Sequence, residues 1–259
     1  MTLSLADVKS AKQDRPPRII LAGVEKVGKS TFASNFPGAV FLPVKGEEGI
    51  DALSADTFPV IKEYESLMES LRLLYKEDHK FSCLVVDSIS AMEPLIWQYV
   101  CEKEHAASIE KVGGGYGKGY TEALLIWREV MGALDALRAK KNMTVIVIGH
   151  VVVKTFTDPQ ANNYDQYQLD LNVKATNSFY RWADAILFCN KKVLVKTEDK
   201  GFNKKAGKGI GDNESYLYTQ KRPAHPGGGR GIYGQLPYEL PLKYQAFDEA
   251  LTNIEKGKQ

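Results

Sequence analysis

One stretch constrains this chain more than any other: Gly23-Val24-Glu25-Lys26-Val27-Gly28-Lys29-Ser30-Thr31 spells G-x-x-x-x-G-K-S directly after the apolar run Arg18-Ile19-Ile20-Leu21-Ala22. A short strand that enters such a loop and leaves it as a helix is the phosphate-binding arrangement of nucleotide-binding α/β proteins. The glycines let the backbone turn tightly and aim its N–H groups inward, and the following helix adds its positive end. Lys29 is then placed to reach the β- and γ-phosphates. The Ser30 hydroxyl suits Mg²⁺, which takes a hydroxyl, phosphate oxygens and water in octahedral geometry.

The rest of the chain is compatible with a large α/β domain. Its 259 residues are 44% hydrophobic and 25% charged, enough to bury a full core, with Met1 to Pro17 as a flexible tail ahead of a single domain over residues 18–259. Thirty-four Lys and Arg against 32 Asp and Glu leave a formal charge of +2, so any basic site must be local. The start carries no apolar core of signal-peptide length, and the run Thr144 to Val153 is too short to span a membrane; both point to a cytoplasmic protein. Cys83, Cys101 and Cys189 show no paired metal spacing and read as reduced, buried thiols.

Periodicity predicts strands alternating with helices. Helices are expected over residues 29–36, 63–75, 91–104, 120–140 and 244–254, and strands over 18–22, 39–44, 81–87, 143–153 and 184–189. Such alternation implies a mainly parallel sheet with right-handed crossovers, flanked by helices. Lys192 to Lys196 and Tyr216 to Thr219 read as a C-terminal β-hairpin within residues 192–220, its tip running from Thr197 to Ser215.

Several polar residues fall where parallel strands end, which is the ligand edge of such a sheet. Asp87 closes Cys83-Leu84-Val85-Val86-Asp87 and suits the Mg²⁺ shell; the bland alternative is a surface aspartate. Ser88 follows it where many motor ATPases have glutamate, so a base must come from elsewhere. Glu47 and Glu48 end the second strand, and Glu48 is preferred for polarising the attacking water over a reading of both as solvated turn residues. His150 closes Val147-Ile148-Gly149-His150 and reads either as a γ-phosphate sensor or as a structural histidine. Asn190-Lys191-Lys192-Val193 has valine where a guanine-reading acid is required, which favours ATP.

Taken together, the phosphate loop, Glu47-Glu48-Gly49, Leu84-Val85-Val86-Asp87-Ser88, Tyr116-Gly117-Lys118-Gly119-Tyr120, the strand ending in His150, and Leu169-Asp170-Leu171 before Trp182-Ala183-Asp184 resemble the RecA-type nucleotide-binding proteins of bacteriophages. Some of that group are single-strand annealing or recombination ATPases related to the RadA core. The resemblance implies a RecA-like ATPase core, using ATP and Mg²⁺, that assembles head to tail with nucleotide between protomers. A basic residue from the neighbour then completes the site, with Arg230 the nearest match and Lys221 and Arg222 as rivals. It also implies two loops that bind single-stranded DNA: one near residues 106–120 with Lys111, Tyr116, Lys118 and Tyr120, the other near 151–180 with Lys154, Tyr164, Tyr167 and Lys174. A single-strand DNA-binding protein is a further implied partner, and no membrane is. Lysines neutralise phosphates and tyrosines stack on bases, although Asp158, Asp165 and Asp170 oppose a phosphate chain.

The alternative from another class is a nucleotide-gated structural or regulatory protein that never touches DNA. A small-molecule kinase is a third reading, weakened by the missing arginine-rich lid.

Overall fold

The computed structural model describes Ser4 and residues 15–159, 162–199 and 205–257. Its elements follow as β1 (Arg18–Gly23), α1 (Lys29–Ser34), β2 (Ala39–Pro43), β3 (Asp56–Thr57), α2 (Tyr64–Lys76), β4 (Cys83–Asp87), α3 (Ile89–Lys103), α4 (Lys118–Lys140), β5 (Thr144–Phe156), β6 (Tyr164–Leu169), α5 (Val173–Trp182), β7 (Ala185–Asp199), β8 (Lys205–Tyr218), β9 (Gly228–Gly229), β10 (Glu239–Pro241) and α6 (Tyr244–Lys256). Hydrogen-bonded strands run β10-β8-β7-β1-β5-β4-β2-β3, with β6 beside β5 and β9 beside β7. From β7 to β3 the pairing is parallel throughout, so these strands share one carboxyl edge. At that edge Gly23 lies opposite both His150 and Cys189, and Asp87 lies opposite Ile148 and Pro43.

Central strands of such a sheet are apolar on both sides because helices cover both faces. In β1, Ile20 and Ala22 join the core beneath α2 to α5, whereas Ile19 and Leu21 join the core beneath α1 and α6. Leu67, Leu71 and Leu74 of α2 and Trp127 and Leu134 of α4 fill the first layer. Phe32 of α1 and Phe36 just after it meet Phe247 of α6 in the second, with ring centroids 5.8 and 6.1 Å from that of Phe247. Mainly parallel α/β architecture is therefore as expected.

Three local expectations are corrected. The strand over 184–189 and the first hairpin strand are one continuous element, β7, because β8 pairs along it from Phe188↔Tyr218 out to Asp199↔Lys205. Most of the expected tip is thus ladder, since backbone hydrogen bonds need no apolar side chains; residues 200–204 lie outside the described residues. The second expected loop, near 151–180, is instead the end of β5 paired antiparallel with β6, followed by α5. The β-branched run Val151 to Val153 carries β5 onward, and Phe156 packs across the ladder on Tyr164 at 5.4 Å. Asn172 caps α5 by accepting from Lys174 N at 3.0 Å. Helix α1 ends at Ser34, earlier than expected, while α4 begins at Lys118 and α6 reaches Lys256.

The expected tail over residues 1–17 falls mostly outside the described residues, but the Pro17 carbonyl already joins the sheet, accepting from Val145 N at 3.0 Å. Cys83 and Cys189 are buried free thiols and Cys101 is half-buried on α3. No helix of the described residues is long and apolar enough to cross a membrane.

At the amino edge, Asp184 ties the start of β1 to its surroundings. It accepts from Arg18 N, Nε and Nη2 at 3.0, 3.1 and 2.9 Å and pairs with Arg138 Nη2 at 3.2 Å. Burial alone would raise its carboxyl pKa, yet the bonds and charge of Arg18 and Arg138 hold it below the usual range. Asp184→Ala would leave the Arg138 guanidinium without its carboxylate partner and Arg18 with only Asp135, and should destabilise the fold by on the order of 3 kcal/mol in urea unfolding at neutral pH. Because the folded-state pKa is depressed, Asp184 stabilises above its unfolded pKa. The deficit of Asp184→Ala should therefore shrink as pH falls through the folded-state pKa.

Candidate nucleotide site

The glycine loop is shaped by steric and backbone requirements at both ends. A Cβ on Gly23 would lie 2.4 Å from the Cys189 carbonyl oxygen, so β1 can approach β7 here only as glycine. Gly28 sits at φ 106°, outside the range of ordinary L residues, and turns the chain into α1. Val27 is buried in the core, whereas Glu25, Lys26, Gly28 and Thr31 line a cleft of about 800 Å³. Val24 offers its carbonyl to Lys29: the ammonium donates to Gly23 O at 3.0 Å and Val24 O at 2.8 Å. Lys29 is only 6% exposed, and burial lowers its pKa. Its nitrogen thus rests against the loop's own carbonyls.

Ser30 donates from Oγ to Asp87 Oδ2 at 2.6 Å. Asp87 is 3% exposed; burial pushes its pKa up, Glu47 adds to the rise, and the Ser30 bond and the Lys29 and His150 charges oppose it. One hydroxyl and one carboxylate form the hard-oxygen pair that suits Mg²⁺, which keeps water and phosphate oxygens in its shell. Among the described residues no cluster of three His, Cys, Asp or Glu could hold a metal by itself.

Glu47 and His150 also line the cleft, with the fully buried Ser88 beside them. Glu47 Oε1 accepts from Ser88 Oγ at 2.6 Å and meets His150 Nε2 at 2.7 Å, a contact in which Nε2 carries the proton. Ser88 Oγ also accepts from Ala91 N at 3.1 Å, capping α3, and His150 N donates to Ser90 Oγ at 3.0 Å. Burial favours a protonated Glu47, but the bonds from His150 and Ser88 reverse this and hold its pKa below the ordinary value. Glu47, the less preferred of the two glutamates expected as the base, is thus already hydrogen-bonded to Ser88 and His150. Glu48 begins a 3-10 turn over Glu48–Ala52, and its side chain lies outside the described ones.

Lys29, Ser30, Glu47, Asp87 and His150 therefore converge on one cleft, joined by Asp170 from the segment after β6. Arg230 does not join them: it follows β9, which pairs with the first residues of β7, at the opposite edge of the sheet. There it contacts the Arg181 carbonyl and lies 3.7 Å from Asp184. Tyr116 is fully exposed in the turn between Gly115 and Gly117, and Lys111 lies in the preceding 3-10 turn. Lys118 donates to Gly113 O at 2.9 Å, and Tyr120 donates to Glu110 at 3.0 Å with its ring 5.4 Å from Trp97. Lys154 stands on β5 opposite Gln166. Lys174 donates to Thr121 Oγ1 at 2.6 Å, which joins the two expected DNA segments across α4 and α5. Tyr167 packs 5.2 Å from Phe188, as a tyrosine with a packing role does.

Ser88, Ser90 and Asp170 went unassigned in the sequence. A serine immediately after a strand-ending acid, three residues before Ala91, is the helix-cap signal that would have found Ser88. Removing either donor to Glu47 leaves burial less opposed. Ser88→Ala and His150→Ala should each raise the Glu47 carboxyl pKa, read by carbon-13 NMR titration of the nucleotide-free protein; an unchanged value in both would contradict this account.

No curated protein matches the chain. Among solved structures it is similar to the RadB recombinase, at 16% identity and TM-score 0.40 over 69% of this chain and 76% of that one. It is also similar to the flagellar accessory protein FlaH from Methanocaldococcus jannaschii, at 13% identity and TM-score 0.43 over 89% and 88%. The family model described as AAA domain matches residues 15–231, which takes in the glycine loop, Asp87, His150 and Arg230. The chain belongs to the AAA domain family.

Proposed function

We propose that the protein binds and hydrolyses ATP as a self-assembling, single-stranded DNA-binding ATPase of phage-type recombination or strand annealing. The observation that carries the ATPase reading is the convergence of Lys29, Ser30, Asp87, Glu47 and His150 on one cleft. When nucleotide enters, Lys29 exchanges the Gly23 and Val24 carbonyls for phosphate oxygens. Ser30 and Asp87 would hold Mg²⁺, which would neutralise charge developing on the β- and γ-oxygens. Glu47, released from Ser88 and His150, orients a water whose oxygen attacks the γ-phosphorus as the bond to the ADP oxygen breaks. The water's proton passes to Glu47 and then to phosphate. His150, freed in the same exchange, donates to the terminal phosphate.

The DNA reading draws support from the placement of lysines and tyrosines around one end of α4. Tyr116 precedes that helix, Lys118 opens it, Lys174 reaches it from α5, and Lys154 lies on the β5 extension that begins directly after His150. A contact on the β5–β6 hairpin is thus a few residues from the nucleotide cleft. Arg230, at the far edge of its own protomer, serves a neighbour's nucleotide in a head-to-tail assembly, where an arginine in trans stabilises the transferring phosphoryl group. The regulatory reading without DNA is favoured by Asp165 and Asp170 on the same hairpin, with Asp165 accepting from Thr155 at 2.7 Å.

ATP turnover with and without single-stranded DNA, at two salt concentrations, separates them. Lys29→Ala should abolish nucleotide binding. Glu47→Gln should retain binding and lose on the order of 100-fold or more in turnover. DNA should stimulate turnover, with affinity falling as salt rises. Nucleotide binding with no DNA effect on either quantity would leave the regulatory reading; no nucleotide binding would overturn both.

A further inference from the structure

Glu93, on α3, is a buried carboxyl that the reaction does not use. It is 6% exposed and takes part in no ion pair among the described residues. Both its oxygens accept from one backbone group, Asn172 N, at 3.0 and 2.8 Å. Asn172 is the cap of α5, and the segment just before it returns from the β5–β6 hairpin. Within that segment Asp170 lines the nucleotide cleft and donates its N–H to the His150 carbonyl at 2.9 Å. Leu169 pairs with Val151, the residue after His150. One carboxyl therefore grips the point where hairpin, cleft wall and α5 meet.

We propose that Glu93 is a positioning residue that holds the root of the β5–β6 hairpin against the nucleotide cleft, and that its uncharged form holds the root most firmly. Its link to turnover rests on the ATPase reading above; the grip itself does not. A neutral carboxyl can accept from Asn172 N at no Coulomb cost. An ionised one stands in a site of low polarity near the Asp170 carboxylate, and burial with that neighbour pushes the Glu93 pKa up to about 7. The charged and titratable groups around it are Asp170 from the hairpin root, Lys154 from β5 and Tyr120 from the first turn of α4. The bond from Asn172 N and, less, the Lys154 charge favour the ionised form, but burial outweighs them. The Trp127 indole N–H of α4 faces Glu93 outside normal hydrogen-bond geometry. Ionisation is thus relieved when the root moves away and lets water reach the carboxylate, because the burial removed outweighs the Asn172 bond lost.

The test is hydrogen exchange of peptides covering residues 150–156 and 164–176 in the nucleotide-free full-length chain from pH 5.5 to 8.5, comparing the native protein with Glu93→Gln at each pH so that the intrinsic exchange rate cancels. Native protection should step down through about pH 7, the value to which burial raises Glu93. Glu93→Gln, which stays neutral and keeps one acceptor, should hold the low-pH protection throughout. Glu93→Ala, which leaves Asn172 N unpaired, should lose protection at every pH. A native step that persists in Glu93→Gln, no native step at all, or a Glu93→Ala chain as protected as the native one would each overturn the proposal. ATP turnover over the same range should follow the same step. An exchange step in a chain that turns over no ATP would leave the grip standing and sink the ATPase reading instead.

Discussion

Parallel pairing of β1 with β5 on one side and β7 on the other is the constraint on which the rest of the structure depends. It sets Gly23, His150 and Cys189 abreast, and the approach is so close that no side chain fits at Gly23. Because β4 pairs parallel to β5, Asp87 arrives at the same edge, and β2 then brings Glu47 just beyond it. Each of these residues comes from a separate stretch of chain. The sheet register, rather than any local motif, makes them neighbours.

Assembling them has an electrostatic consequence. Lys29, Asp87 and Glu47 all lose water, and each is driven by burial toward its neutral form. Glu47 resists because two donors converge on one of its oxygens; Asp87, with a single hydroxyl donor, does not. The nucleotide-free site is therefore internally satisfied in part: Lys29 rests on its own loop and Glu47 on Ser88 and His150. Ligand phosphates and a hard cation would supply the charges that the site lacks, which is the physical reason for reading it as poised for nucleotide.

Much of this was legible in the chain. The loop from Gly23 to Thr31 has a fixed chemistry because glycine geometry and a lysine at set spacing permit few alternatives, and the buried strands around it advertise themselves as apolar runs ending in Asp87 and His150. The hairpins were less legible. Lys205 to Tyr218 carries glycines and lysines that suggest a tip, yet backbone pairing with β7 is indifferent to them. The β5–β6 hairpin was hidden for a related reason: Tyr164 to Leu169 is polar, and its strand character comes from its partner, not its own propensity. Glu93 gave no signal at all, because a glutamate in an amphipathic helix reads as solvated until the packing of α4 and the hairpin root against it is known.

What the sequence determined by itself was the phosphate-loop motif, the parallel α/β core and the polar residues Asp87 and His150 that follow its apolar runs, since each follows from local spacing and short-range backbone chemistry. Only the tertiary structure decided which glutamate meets His150, that Ser88 supports it, that Arg230 lies at the far edge from its own phosphate loop, and that Glu93 grips Asn172. Those relations join residues between 41 and 103 positions apart in the cases of Ser88 and His150 to Glu47, and 79 in the case of Glu93. Contacts at such separations are set by strand order and register, which no local pattern encodes.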